Sequence, residues 1–133
     1  MLVVESTTMA THAVIWIDHK EARVFHVHPE TVDSTTVLAA QHHIHRHPKG
    51  REVKEHPDDA QRFFGEVAHQ LAGVDALLIV GPSSAKLEFF RHLHAHDRKL
   101  ESKVVGVESA DHPTDGEIVA RARECFKATD RMA

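Results

Sequence analysis

Apolar residues at the start of the chain are spaced as strands require. Residues 12–18 read HAVIWID, an apolar run that is rich in β-branched residues and too short for most helices, and this pattern predicts a central strand. ARVFHVH follows a polar DHKE turn and alternates well enough to be its hairpin partner. STTVLAAQHHIH, about residues 34–45, predicts a third strand. Together the three runs indicate an antiparallel meander.

The apolar spacing becomes helical after residue 59. From Ala60 to Ala72 the apolar residues form a broad stripe that would face a sheet. Pro57 and Asp58 mark the start of this helix, and Gly73 marks its end. The pattern predicts a first helix over most of residues 57–73.

The second half of the chain alternates between buried strands and helices. DALLIVG at residues 75–81 and KVVGV at 103–107 predict parallel strands, with a helix over roughly 84–97 between them. Thr114 and Glu117 have the spacing of a capping box that begins a last helix.

The resulting order is βββαβαβα, which predicts an α/β fold with a five-stranded mixed sheet and helices on its faces. Ribonuclease H-like folds have this order. We expect residues 1–11 to be a flexible lead-in and residues 12–133 to form one domain.

Composition limits the functions that the chain can have. Its 133 residues are 41% hydrophobic and 27% charged, which is ordinary for a globular domain, and the net charge of −4 provides no global basic field for nucleic acid. Any RNA contact must therefore come from a local patch. Cys125 is the only cysteine, and the sequence has no secretory signal or apolar run of membrane-spanning length. We expect a cytoplasmic protein.

Five segments occur in the order of a known domain: AVIWIDHKEARVF, HHIHRHPKG, AQRFFGEVAHQL, DALLIVGPSSAKLEFF and KVVGVESADHPTDGEI. With these segments, about residues 12–126 resemble the middle domain of archaeal and eukaryotic peptide-chain release factors and of Pelota, and bacterial stand-alone relatives of that domain look closest. The resemblance implies a ribonuclease H-like core in the translational machinery, with the ribosome or RNA as partner.

One motif of that family is missing. Release factors carry Gly-Gly-Gln in the basic loop before the first helix, where it positions water for ester hydrolysis. The corresponding segment here reads KGREVKEHPDDAQRFF, in which Gly50 stands alone and Gln61 lies at the helix start. Paired glycines allow backbone conformations that other residues cannot adopt. We therefore expect no peptidyl-tRNA hydrolysis and assign no catalytic residue.

The segment from residue 42 to 59, HHIHRHPKGREVKEHPDD, concentrates histidines and cations. Its cations can neutralise phosphates and its histidines can stack or hydrogen-bond near ribose, although Glu52 and Glu55 weaken the field. The predicted RNA-contact residues are Arg46, His47, Lys49, Arg51, Lys54 and His56.

A candidate anion site lies at GPSSAK, where a strand leads into a helix. Unpaired N–H groups and the helix dipole favour an anion near Ser83 and Ser84. The same serines can instead serve only as the helix cap.

Histidine spacing supports an alternative function, a histidine-rich Zn- or Ni-binding protein that could form a homo-oligomer. Alternate residues of a strand share a face, and residues four apart on a helix are neighbours. The candidate ligands are His43, His45 and His47 on the strand, and Glu88, His92 and His96 on the helix. The competing interpretation is a solvated polar surface.

A second alternative is a metal-dependent nuclease that uses Asp18, because ribonuclease H-like nucleases place a carboxylate at the end of the first strand. Two-metal chemistry needs several convergent carboxylates. The DHKE pattern favours a turn role for Asp18 instead.

Overall fold

The computed structural model describes residues 11–39 and 57–132. The strands are β1 (His12–Ile17), β2 (Glu21–Val27), β3 (Val32–Leu38), β4 (Ala76–Gly81) and β5 (Val104–Ser109). The helices are α1 (Pro57–Gln70), α2 (Ala85–His96), α3 (Arg98–Glu101) and α4 (Asp115–Met132). None of these helices is long and apolar enough to cross a membrane.

The strands form one mixed sheet in the order β3-β2-β1-β4-β5. β2 pairs antiparallel with both β1 and β3, whereas β4 pairs parallel with β1 and with β5. The meander followed by parallel crossovers confirms the predicted α/β fold with a five-stranded mixed sheet.

The structure differs from the sequence prediction in two places. A short helix, α3, lies between α2 and β5, and Asp97 begins it by accepting a hydrogen bond from the Leu100 N–H at 3.1 Å. β3 begins at Val32, two residues earlier than predicted, and the predicted extension over residues 40–45 lies outside the described residues.

Two apolar clusters lie on opposite faces of the sheet. On one face, α1 and α2 pack on the sheet, with Phe64 and Phe89 among the buried residues. On the other face, α4 packs with Phe126 against Trp16 and Phe25. β1 contributes to both clusters, which explains why its sequence is continuously apolar.

A capping box begins α4, and an ion pair attaches the start of this helix to the sheet. The Glu117 N–H donates to Thr114 Oγ1 at 3.1 Å and the Thr114 N–H donates to Glu117 Oε1 at 2.9 Å, which confirms the predicted capping box. Arg23 on β2 donates to Asp115 at 2.8 Å, and its guanidinium lies 4.7 Å from the centre of the Trp16 ring. The start of α4 is thereby fixed over β1 and β2.

Gly81 permits a close approach between the ends of β4 and β1. A Cβ atom at this position would lie 2.2 Å from the Ile17 carbonyl oxygen, a backbone atom that cannot move without distorting the sheet. Position 81 therefore requires glycine, because there is no room for a Cβ atom.

We expect Gly81→Ala to lower the free energy of unfolding by about 3 kcal/mol, because the added methyl group overpacks against backbone. Urea unfolding measures this change. The matched control is Gly65→Ala, where a Cβ would meet nothing within 4 Å. Since Gly65 lies inside α1, this control should gain roughly 0.5–1 kcal/mol. Equal stability of the two variants would contradict the steric explanation.

Candidate functional site

Four strands end at the same edge of the sheet. β1, β3, β4 and β5 all run in one direction, since β2 is antiparallel to both β1 and β3 and the other neighbours are parallel. The loops that follow these strands therefore share this edge, which we call the carboxyl edge. In open α/β sheets, ligands bind outside the carboxyl ends of the strands.

The described chain stops after β3 and resumes at α1, and both points lie at the carboxyl edge. The Ala39 N–H, directly after β3, donates to the Lys20 carbonyl at 2.9 Å. The chain returns at Pro57, where α1 starts. α1 must begin at this edge because it leads back to the opposite edge, where β4 starts. The residues that flank 40–56, Ala39 and Pro57, thus both lie at the carboxyl edge.

The β1–β2 turn is closed by Asp18. Its Oδ1 accepts hydrogen bonds from the backbone N–H of Lys20 at 2.8 Å and of Glu21 at 2.9 Å. Its own N–H donates to the Glu21 carbonyl at 3.0 Å. These bonds give Asp18 the turn role that the DHKE pattern favours.

The start of α2 carries its own negative charge. The Ser84 hydroxyl donates to Glu88 Oε2 at 2.9 Å, and Nε2 of His19 lies 3.3 Å from the same carboxylate. Ser84 occupies the N-cap position but makes no side-chain cap hydrogen bond. Because Glu88 lies in the first turn, its carboxylate already complements the helix dipole. Ser84 is thus used to hold Glu88.

Ser83 is engaged through its backbone as well as its side chain. Lys86, which is 9% exposed, donates from Nζ to the Ser83 carbonyl at 2.7 Å. The Ala85 N–H donates to Ser83 Oγ at 3.4 Å, a long cap-like bond. An anion at the serines stays a prediction, and these contacts show that both residues already have protein partners.

His92 lies in an aromatic environment between α1 and α2. Its ring centre is 5.6 Å from that of Phe64, 6.4 Å from that of Phe89 and 4.7 Å from that of His96. Its Nδ1 lies 2.7 Å from Oε1 of Gln61. Burial, and secondarily the neighbouring His96, lower the pKa of His92 from its ordinary value. His92 is therefore a neutral helix-packing residue at pH 7.

The predicted metal ligands are not gathered within the described residues. Over residues 11–39 and 57–132, no three His, Cys, Asp or Glu side chains form a group that could hold a metal ion. The Glu88 carboxylate contacts His19 and Ser84, and the His92 ring contacts the Gln61 side chain. The strand ligands His43, His45 and His47 lie outside the described residues.

The predicted RNA-contact residues also lie outside the described residues: Arg46, His47, Lys49, Arg51, Lys54 and His56. The structure fixes the two points at which the chain leaves β3 and enters α1, and both points lie at the carboxyl edge.

Sequence reasoning missed two participants at the carboxyl edge. His19 is 69 residues from its partner Glu88, and no local pattern links them. Lys86 is three residues after Ser83 at a helix start. This spacing is a usable signal, because a side chain in the first helical turn can reach back to the preceding carbonyl.

The fold is shared with solved structures of two Pelota proteins and of an archaeal translation termination factor. Archaeoglobus fulgidus Pelota matches with a TM-score of 0.62 at 15% identity, over 90% of this chain and 32% of Pelota. Thermoplasma acidophilum Pelota matches with a TM-score of 0.56 at 18% identity, over 88% of this chain and 37% of that protein. The archaeal translation termination factor aRF1 matches with a TM-score of 0.57 at 13% identity, over 92% of this chain and 39% of aRF1.

These similarities confirm, at the level of the fold, the resemblance that the sequence motifs indicated. The chain spans between 32% and 39% of the length of the three structures. No protein-family model matches the sequence, and no curated protein does.

We expect the pKa of His92 to lie below 6.5 in the folded protein, as measured by NMR titration of its ring protons. Protonation of the folded state is then disfavoured, so stability falls as pH drops from 6.5 toward the lowered pKa. His96→Gln should move the pKa of His92 upward by removing a like charge. An unchanged pKa of His92 in this variant would show that His96 has no electrostatic effect on His92.

Proposed function

We propose that the chain is a non-catalytic, ribosome-associated domain that contacts RNA through residues 46–56. The observation that supports this proposal is that the two described residues flanking this part of the chain, Ala39 after β3 and Pro57 at the start of α1, both lie at the carboxyl edge of a fold shared with Pelota and aRF1. aRF1 is a translation termination factor.

The sheet and its helices act as a rigid carrier in this proposal. β1 is buried on both faces, and the ion pairs Arg23–Asp115 and Arg121–Glu108 hold α4 on the sheet. A loop that is held on a rigid domain loses less conformational entropy when it binds a partner. The contact itself is electrostatic, and its four cations are Arg46, Lys49, Arg51 and Lys54.

The described part of the carboxyl edge adds limited positive charge to this contact. Lys20 lies in the β1–β2 turn, and its carbonyl accepts the hydrogen bond from the Ala39 N–H. His19, 44% exposed at its side chain, is paired with Glu88. Glu88 reduces the positive field of the α2 start, so we assign the main phosphate contacts to the 46–56 cations.

Catalysis is not part of the proposed function. Gly50 is not paired with a second glycine, and the segment has no Gly-Gly-Gln. The domain would occupy its binding site without hydrolysing peptidyl-tRNA.

We expect the purified protein to sediment with ribosomes at low salt and to dissociate as salt rises. Replacing Arg46, Lys49, Arg51 and Lys54 with Ala should weaken binding at least about tenfold, because these side chains would no longer displace counterions from the phosphates. The dependence of log K on log salt should become shallower by up to about one unit per lost contact.

The control variant removes the same charge from exposed positions on the helices: Arg91, Arg98, Lys99 and Lys127, each to Ala. It contains two arginines and two lysines, as the test variant does, and should bind like the wild type. If both variants lose affinity equally, net charge and not the loop explains the binding. If the wild type does not sediment with ribosomes at low salt, the proposal is wrong.

A further inference from the structure

β3 lies at one edge of the sheet, and no strand within residues 11–39 and 57–132 pairs with its outer side. The strand reads VDSTTVL, and four consecutive residues from Asp33 to Thr36 are exposed, as is Leu38 at 61%. Edge strands are usually protected by charged side chains, proline, bulges or a covering segment. β3 has one charged residue, Asp33, no proline, and a regular pairing with β2.

The ladder between β2 and β3 determines which backbone groups face outward. The Ala39 N–H donates to the Lys20 carbonyl, and the His28 N–H donates to the Thr31 carbonyl, both at register positions that continue the ladder. Residues of an antiparallel pair alternate between exchanging both hydrogen bonds and exchanging neither. Odd-numbered residues of β3 therefore bond to β2. The N–H and C=O groups of four residues point away from the sheet: Val32, Ser34, Thr36 and Leu38.

We propose that β3 pairs antiparallel with β3 of a second copy of this chain, around a two-fold axis at Thr35. Thr35 is the middle residue of Val32–Leu38, so this register pairs the whole strand with itself. All four outward-facing residues of each copy are satisfied, which gives about eight backbone hydrogen bonds. The two sheets become one continuous sheet.

Side-chain pairing also favours this register. Val32 lies opposite Leu38 of the second copy and covers its exposed side chain, while Ser34 lies opposite Thr36. Thr35 meets its own symmetry mate. Apolar pairs and hydroxyl pairs across strands are favourable, and no two like charges face each other. Moving the axis to Thr36 would place Leu38 opposite Ser34 and lose the apolar pair.

α1 supplies a second strip of the interface. An open groove of about 680 Å³ lies between α1 and the C-terminal half of β3, residues 35–38. On the α1 side the groove is lined by Arg62, Glu66 and His69. α1 packs over β2 and β3. With strands ~4.8 Å apart, two α1 helices related by the axis lie roughly 10 Å apart, an ordinary helix-packing distance.

The charges on this side of α1 are self-complementary. Arg62 and Glu66 are one helical turn apart and both line the groove. A two-fold axis makes the two α1 helices antiparallel, so each presents an arginine and a glutamate to the other. Gly65 lies between them, with open space beside it, and allows the helices to approach. These features favour a second copy over an unrelated extended peptide.

The test uses the fact that Thr35 meets itself only in the proposed register. Wild-type protein is expected to be a dimer by sedimentation velocity at about 100 µM, above the Kd of a modest interface. Thr35→Lys and Thr35→Glu should each weaken the dimer roughly fivefold or more, because like charges then face each other across the axis. Mixing the two variants should restore the dimer, now as a Lys–Glu pair.

Thr35→Gln is the neutral control and should remain dimeric, and thermal unfolding should show that all variants keep the monomer fold, since Thr35 is exposed. A wild type that stays monomeric, as it would if another segment of its own chain covered β3, overturns the proposal. So does a dimer that neither charge weakens, or a mixture of the two charged variants that fails to associate.

Discussion

The structure depends on the burial of β1 on both of its faces. Ala13, Ile15 and Ile17 enter one apolar cluster, while Val14 and Trp16 enter the other. Each cluster is completed by helices on one side only, α1 and α2 on the first face and α4 on the second. β1 also pairs with strands on both sides. At the carboxyl edge, the last residue of β1, Ile17, lies so close to Gly81 of β4 that no side chain fits at the glycine.

Histidines take different roles according to their surroundings. His92 is a partly buried packing residue, whereas His19 and His94 lie beside the carboxylates of Glu88 and Glu101. His12 stacks on Phe126 with ring centres 4.4 Å apart. The metal prediction rested on the spacing of His43, His45, His47, Glu88, His92 and His96. The four histidines described above contact rings, an amide oxygen or single carboxylates.

Periodicity predicted the strands and helices well because each is governed by local burial. The apolar run before Asp18, the stripe from Ala60 to Leu71 and the Thr114–Glu117 box are local patterns, and the structure confirms them. The stripe was predicted to reach Ala72, which is exposed and follows the end of α1 at Gln70. α3 was missed because a four-residue helix has no period to detect. The link between His19 and Glu88 was missed because it exists only after β1 and α2 are brought together by the parallel pairing of β1 and β4.

The distribution of cluster partners along the chain has a consequence for biosynthesis. β1 and β2 are made first and can pair as a local hairpin, but the second apolar cluster needs Ile118, Ala122 and Phe126 from α4. The side chains of Trp16 and Phe25 therefore remain exposed until almost the entire domain has left the ribosomal tunnel. Since a hairpin alone is marginally stable in water, folding of this domain is expected to finish only after α4 has been synthesised. A nascent chain stalled before α4 would expose that apolar face to chaperones.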